Sequence, residues 1–304
     1  MKILVTGGAG FIGSHVVDTF LSAGHEVVVV DNLVTGKRQN LNPQAKFYQI
    51  DIRSDELYKI FQDEQPAVVD HHAAQMDVRK SVSNPIYDAE VNILGTLNVL
   101  QAAVKSGVQK IIFASTGGAI YGEQEKFPAP EDHPTNPLSP YGIGKLGGEK
   151  YLYFYYTTYG LKYVSLRYAN VYGPRQDPHG EAGVVAIFTQ KMLRNEQPII
   201  NGDGEQTRDF VFVKDVAQAN LLALSKDIIG CYNIGTGREV SVNQLFDRLV
   251  ELTQAKVKKI HGPAKEGEQK RSVLDARKAK EVLGWAPRVN LDEGLAQTVA
   301  FFKT

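Results

Sequence analysis

The stretch VTGGAGFIGSH, residues 5–15, decides the fold. It follows a short apolar run, KILVT at 2–6, and opens a helical pattern over 11–23. Gly7, Gly10 and Gly13 therefore stand where a strand turns into a helix, with Phe11 and Ile12 between the last two. Glycines there permit a tight turn and let the backbone approach a pyrophosphate. The unpaired N–H groups and positive dipole of the helix start face the same point. The next apolar run, EVVVVD, ends at Asp31, eighteen residues beyond Gly13. An acid at that place accepts from a ribose 2′-hydroxyl and repels a 2′-phosphate, which favours NAD over NADP. Asn32 follows it. Asp51 and Ile52, just past the third run, are placed to close over an adenine, with turn capping as the competing role for Asp51.

Working outward, KFYQI, PAVVDH and KIIFAS continue the series of short, nearly continuous apolar runs expected of strands buried on both faces. Helical patterns over 11–23, 54–64 and 85–106 alternate with them, the last opened by Asn84 and Pro85 as cap and first helical residue. Strand and helix in alternation predict an α/β fold with a doubly wound parallel sheet, a Rossmann architecture. Five prolines in EKFPAPEDHPTNPLSP, residues 125–140, predict an irregular surface loop. A helix over 141–160, a strand at KYVSLRY and a helix at 241–253, with Ser241 and Gln244 as a capping box, follow. The expected organisation is a dinucleotide lobe over 1–169 and a smaller mixed α/β substrate lobe over 170–304, with part of 207–235 returning to the first. His71 and His72 are adjacent on a strand and point to opposite faces, so they cannot readily share a metal ion, and none is expected. Ala73 and Ala74 leave room for the cofactor.

Thirty-four basic residues balance thirty-four acidic ones, so total charge draws the chain to neither nucleic acid nor an anionic membrane. No apolar run approaches the roughly 18 residues of a membrane span, and the chain starts on a strand-like segment. The single cysteine, Cys231, cannot form an intramolecular disulfide and reads as a small core residue. Together these features predict a cytoplasmic protein.

The chemistry centres on SPYGIGKLGGEKY, residues 139–151. Tyr141 and Lys145, four apart on a helix, point the same way. A phenol with a pKa of about 10 is a poor base at neutral pH, but a nearby ammonium and a cationic nicotinamide both favour the phenolate. Glycines at 142, 144, 147 and 148 let the helix approach the cofactor or a neighbouring backbone at a cost in helix propensity. The strand ending in STGGAIYG brings the hydroxyls of Ser115 and Thr116 to the carboxyl edge of the sheet, where ligands bind.

TGGAGFIGS, Asp31, STGGAIYG, YGIGK and RYANVYGPRQ resemble the extended short-chain dehydrogenase/reductase family, most closely its UDP-glucose (UDP-galactose) 4-epimerases. GDGEQTRDFVFVKDV and NIGTG extend the likeness through the second half. The resemblance implies a tightly held NAD, reduced and reoxidised within one turnover. Tyr141 would take the proton from the sugar 4-hydroxyl, Ser115 or Thr116 would bridge hydroxyl and phenol, and Lys145 would also hold the nicotinamide ribose. Asn92 joins the implied cofactor contacts. Asn170 would contact the diphosphate or sugar of a UDP-sugar, Arg208 the diphosphate and Glu268 the uridine ribose, with a salt bridge to Asp209 or another surface acid as the competing role for Arg208. Arg175 is a weaker candidate, and Lys265 stands where the family usually has an arginine.

Gly117, Gly118, Ala119 and Ile120 occupy the place where related dehydratases carry an acidic pair, so no group is evident to protonate a leaving hydroxyl and simple epimerisation is preferred. Ser272 falls where hexose-restricted epimerases often have tyrosine, which implies room for UDP-N-acetylglucosamine and UDP-N-acetylgalactosamine. Competing readings are a UDP-glucuronate epimerase or decarboxylase, and a noncatalytic NAD-binding protein. The resemblance also implies a homodimer built from the aromatic helix around YLYFYYTTY and the one at 85–106.

Overall fold

The computed structural model describes residues 1–178, 183–264 and 269–303. The chain begins with β1 (Lys2–Thr6), α1 (Phe11–Ser22), β2 (Glu26–Asp31), β3 (Lys46–Gln49), α2 (Leu57–Glu64) and β4 (Val68–His71). Then come α3 (Val78–Ser83), α4 (Pro85–Ala89), a wide π turn at Glu90–Gly95, α5 (Thr96–Lys105), β5 (Lys110–Thr116) and the single turn α6 (Gly117–Ile120). The long α7 (Pro140–Tyr159) leads into β6 (Lys162–Tyr168) and β7 (Asn170–Tyr172). Beyond it lie α8 (Val184–Leu193), β8 (Ile200–Asn201), β9 (Thr207–Phe212), α9 (Val213–Ser225), β10 (Gly230–Ile234), β11 (Glu239–Ser241), α10 (Val242–Thr253), β12 (His261–Gly262), β13 (Arg271–Ser272) and α11 (Leu291–Lys303).

Seven strands form one parallel sheet in the order β10-β6-β5-β4-β1-β2-β3. From β1 the chain winds one way through β2 and β3, then crosses back to β4 on β1's other side. The crevice above the carboxyl ends of β1 and β4 is thus a switch point, the usual place for a ligand in such a sheet. The inner strands β1 and β2 carry nearly continuous apolar runs because both faces are covered, while β4, β5 and β6 add polar residues that are themselves largely buried. Val16, Val17 and Phe20 of α1, with Val216, Ala217 and Ala219 of α9, bury one face. Leu57 and Phe61 of α2, Val99 and Leu100 of α5, and Leu152 and Tyr155 of α7 bury the other. A separate core joins Tyr172, Phe188, Phe210, Phe212, Phe246 and Leu295 around a small sheet of β7, β9, β11 and β13. So α9 packs against α1 and β10 closes the large sheet, although both lie late in the sequence.

Two local readings need correction. The helix expected over 85–106 is broken by the π turn, and α3 precedes it, capped by Asp77 Oδ1 accepting from the Arg79 and Lys80 N–H groups. The proline-rich segment is irregular but no mere surface loop. Ala129 is fully buried and bridges Leu274, and the Glu131 carbonyl accepts from Arg167.

Candidate active site

The glycine loop is tight for steric reasons. Gly7 has φ +70°, and a Cβ there would lie 2.6 Å from the Ala73 nitrogen; one on Gly13 would lie 2.3 Å from the Gly7 carbonyl oxygen. No side chain caps the start of α1, so its first N–H groups are left for a ligand. They open on a cavity of about 360 Å³ lined by Gly7, Gly10, Phe11, Ile12 and Gly13, and by Asp31, Asn32, Asp51, Ile52, Ala73 and Ala74. Asp31 Oδ2 accepts from the Ala9 N–H at 3.0 Å and Oδ1 from Leu33 at 2.8 Å. Burial pushes this carboxyl's pKa up and the two backbone donors pull it down. Each oxygen keeps a lone pair for a vicinal diol. Asp51 is held by Arg53, which is also the main cause of its pKa falling to about 2, and accepts from Asn32 Nδ2 at 2.9 Å. Asp51 lines the cavity and also closes a turn by accepting from the Arg53 N–H at 2.9 Å. A glycine cradle at a helix start, a fixed carboxylate and a closed far wall fit a dinucleotide.

Asn92 sits differently. Its side chain lies behind the described lining, with Oδ1 accepting from the Gln75 N–H at 2.9 Å and Nδ2 donating to the Gln75 carbonyl at 2.8 Å. It fixes the backbone of the loop after Ala74. His71 bridges the hydroxyls of Thr6 and Thr96 at 2.7 and 3.0 Å, and burial lowers its pKa well below the usual value. His72 points the other way, with Nε2 2.9 Å from Asp70 Oδ1 but out of line for a hydrogen bond. Among the described residues, no three His, Cys, Asp or Glu side chains gather as a metal site requires.

Tyr141 lines this cavity and also a second one of about 390 Å³, so it stands at the seam between them. Lys145, one turn on, is buried; its Nζ donates to the Ala114 carbonyl at 2.8 Å and lies over the Phe113 ring. Burial lowers its pKa to about 8, against the opposing pull of Asp88 and Glu149. The glycines of α7 serve neighbouring elements. A Cβ at 142 would strike the Ala119 carbonyl, at 144 Asn92, and at 148 the Phe113 ring, whereas Gly147 faces open space.

Ser115 and Thr116 both line the second cavity, and Ser115 lines the first as well, but their hydroxyls are engaged differently. Ser115 Oγ donates to Glu149 Oε1 at 2.7 Å, inside a buried cluster where Arg167 grips the same carboxylate at 3.0 and 2.7 Å. Thr116 lines the second cavity with Asn170 and Arg208. A Cβ on Gly118 would come 3.8 Å from Thr116 Oγ1 and 3.9 Å from Asn170 Oδ1. Asp209, next to Arg208, is turned inward and accepts from Thr236, Gly237 and Leu274. Ser272 is buried on β13 in register with Arg208 and lies behind the described lining of the cavity. Glu268 and Lys265 lie outside the described residues. Sequence reasoning missed Tyr168 and Met76, which line both cavities. Tyr168 was findable, since strand counting pairs it with Thr116 across the sheet edge.

The chain matches the model of the NAD dependent epimerase/dehydratase family over residues 3–235. A UDP-glucose 4-epimerase of Mycolicibacterium smegmatis is 44% identical over 100% of this chain and 99% of its own length. The structure of the Thermotoga maritima UDP-glucose 4-epimerase with UDP-glucose superposes with TM-score 0.98 at 55% identity, covering 100% of this chain and 99% of that one. The Thermus thermophilus UDP-glucose 4-epimerase complexed with NAD gives TM-score 0.95 at 46% identity, again over 100% and 99%. With likeness of this extent on top of the dinucleotide cavity and its tyrosine and lysine, the chain belongs to the NAD dependent epimerase/dehydratase family.

Proposed function

We propose that this protein is an isomerase that interconverts UDP-glucose and UDP-galactose at C4 through a 4-keto sugar, using NAD. The observation that carries this reading is Tyr141 at the seam of the two cavities, one turn from a buried Lys145. NAD supplies the hydride acceptor when bound, and in reduced form the donor. Gly7, Gly10 and Gly13 would receive its diphosphate and Asp31 its adenosine ribose, with Asn32, Asp51, Ile52, Ala73 and Ala74 around them. Tyr141 takes the proton from the sugar 4-hydroxyl and returns it after the keto sugar has turned over. Lys145 favours the phenolate by charge. Thr116 is the bridging hydroxyl, because Ser115 is committed to Glu149. Asn170 and Arg208 hold the diphosphate. In this division, residues 1–169 with the returning part of 207–235 serve the cofactor and the rest of 170–304 the sugar nucleotide.

The turn after Thr116 is Gly117–Ile120, without an acid to expel a hydroxyl, which supports epimerisation over dehydration. The same small residues, with Ser272 beside Arg208, are the basis for expecting UDP-N-acetylhexosamines as further substrates. A homodimer is supported by the exposed Tyr153, Phe154 and Tyr159 of α7 and by exposed Ile86 and Leu94 on the two elements packed against that helix. No helix among the described residues is long and apolar enough to cross a membrane, and Cys231 is a free thiol whose pKa burial raises to about 12. Both features accord with a cytoplasmic setting.

The test is to incubate purified protein, without added cofactor, with UDP-galactose and UDP-N-acetylgalactosamine together and follow the anomeric signals by NMR. Conversion of UDP-galactose to UDP-glucose is expected; failure even with NAD supplied would overturn the reading. Ser272→Tyr should abolish acetamido turnover selectively, and equal loss of both substrates would remove Ser272 as the specificity position.

A further inference from the structure

Residues 173–177, which lead away from β7, double back over α1 and are fastened at three points, two on α1 and one on the loop after β2. His15 Nε2 is 2.9 Å from the Pro174 carbonyl oxygen, which only accepts, so the ring donates there. Burial lowers the His15 pKa to about 4, so the contact is a neutral hydrogen bond around pH 7. Arg175 Nη1 lies 2.8 Å from Asp18 Oδ2 on α1. Lys37 Nζ lies 3.2 Å from Asp177 Oδ2.

Lys37 is itself tied to the glycine loop, its N–H donating to the Ala9 carbonyl at 2.9 Å. Asn40 Nδ2 donates to the same oxygen at 3.1 Å. The segment is held in an uncommon backbone shape. Gly173 has φ +149° and Arg175, with a full side chain, φ +69°. Such conformations persist where the surroundings over-determine them, and they concentrate at ligand clamps and switches. The fastenings surround a narrow recess that shares Gly10, Phe11, Thr35 and Met76 with the cofactor cavity. A chain segment from the substrate side therefore lies across the phosphate loop.

We propose that residues 173–177, pinned through Lys37–Asp177, Arg175–Asp18 and His15–Pro174, form a clasp that retains the dinucleotide between the two halves of each turnover. The inference rests on the NAD reading above. A 4-epimerase has to keep its reduced cofactor until the keto sugar has turned, since release at that point would strand an oxidised sugar. Side-chain exposures of 43% for Lys37 and 24% for Asp177 make their attraction modest, but reversing one charge turns it into repulsion across the same gap.

The experiment takes the holoenzyme, mixes it with excess isotopically labelled NAD, and measures by mass spectrometry how fast bound cofactor exchanges. Lys37→Asp and Asp177→Lys should each speed exchange by about fivefold or more, equivalent to about 1 kcal/mol. The double reversal should return the rate to near wild type. Single variants exchanging at the wild-type rate, or a double variant as fast as the singles, would overturn the clasp. If a reversal impairs folding, the neutral pair Lys37→Met and Asp177→Asn keeps the test open: their effects on exchange should be non-additive, and simple additivity refutes coupling. A wild-type protein that binds no NAD would instead sink the cofactor reading, and the clasp with it.

Discussion

Lys145 carries its charge where water does not reach, and this has a consequence for stability separate from catalysis. Its folded pKa of about 8 lies below the ordinary value of 10.5, so between those pH values the unfolded chain binds a proton that the folded chain does not. Stability then rises with pH through that window, and below pH 8 the penalty is constant. Urea melts of cofactor-stripped protein should show wild type gaining about 2 to 3 kcal/mol on Lys145→Met between pH 7.5 and 10. A constant difference would mean that Lys145 is not depressed. Tyr141→Phe should lower kcat by roughly 10²- to 10⁴-fold while leaving NAD bound, whereas a noncatalytic NAD-binding protein would be indifferent. Thr116→Val should fall in the same range and Ser115→Ala far less, as measured by UDP-galactose turnover; the reverse order would assign the bridge to Ser115. The tyrosine, lysine and acid at 31 were legible because their spacing is set by helix pitch and by a strand end. The choice between the hydroxyls was not, because it depends on Glu149, thirty-four residues away in sequence.

At the scale of the element, α7 sorts its glycines by what they touch. Gly147→Ala meets open space and should stabilise the protein by about 0.5 to 1 kcal/mol through helix propensity and unfolded-state entropy. Gly148→Ala places a methyl 2.7 Å from the buried Phe113 ring and should destabilise by about 1 to 3 kcal/mol despite the same gain in propensity. Thermal denaturation of the two variants checks both signs. The strands of the large sheet were readable because burial on both faces leaves a continuous apolar run. The polar α3 lacks an apolar period, and its one sequence signal was the Asp77 cap. The π turn at Glu90–Gly95 was hidden for another reason. It carries Asn92, which answers both backbone groups of Gln75, while Gly95 packs on Ile52. Those are tertiary contacts that no window of sequence contains.

For the whole molecule, the C-terminal half of α7 leaves Tyr153, Phe154 and Tyr159 exposed by 59, 48 and 56%, and Leu94, on the π turn that packs against α7, is 58% exposed. Clustered apolar side chains at such exposure are typical of an interaction surface. Phe154→Glu and Leu94→Arg should each weaken self-association at least about tenfold in sedimentation equilibrium, with the far-UV spectrum unchanged. A wild type that stays monomeric at micromolar concentration would contradict the proposed homodimer. The arrangement of late segments around the early sheet, with β10 closing its edge and α9 against α1, brings the cofactor wall and the sugar wall together at Tyr141. That shared residue is what a reversible reaction at one carbon requires. The most direct measurement is turnover of UDP-galactose deuterated at C4, followed by NMR. The label should remain at C4 of the UDP-glucose formed, because hydride leaves and returns within one enclosed site; product with hydrogen at C4, or no product with NAD supplied, would contradict a 4-epimerase acting through its own bound cofactor.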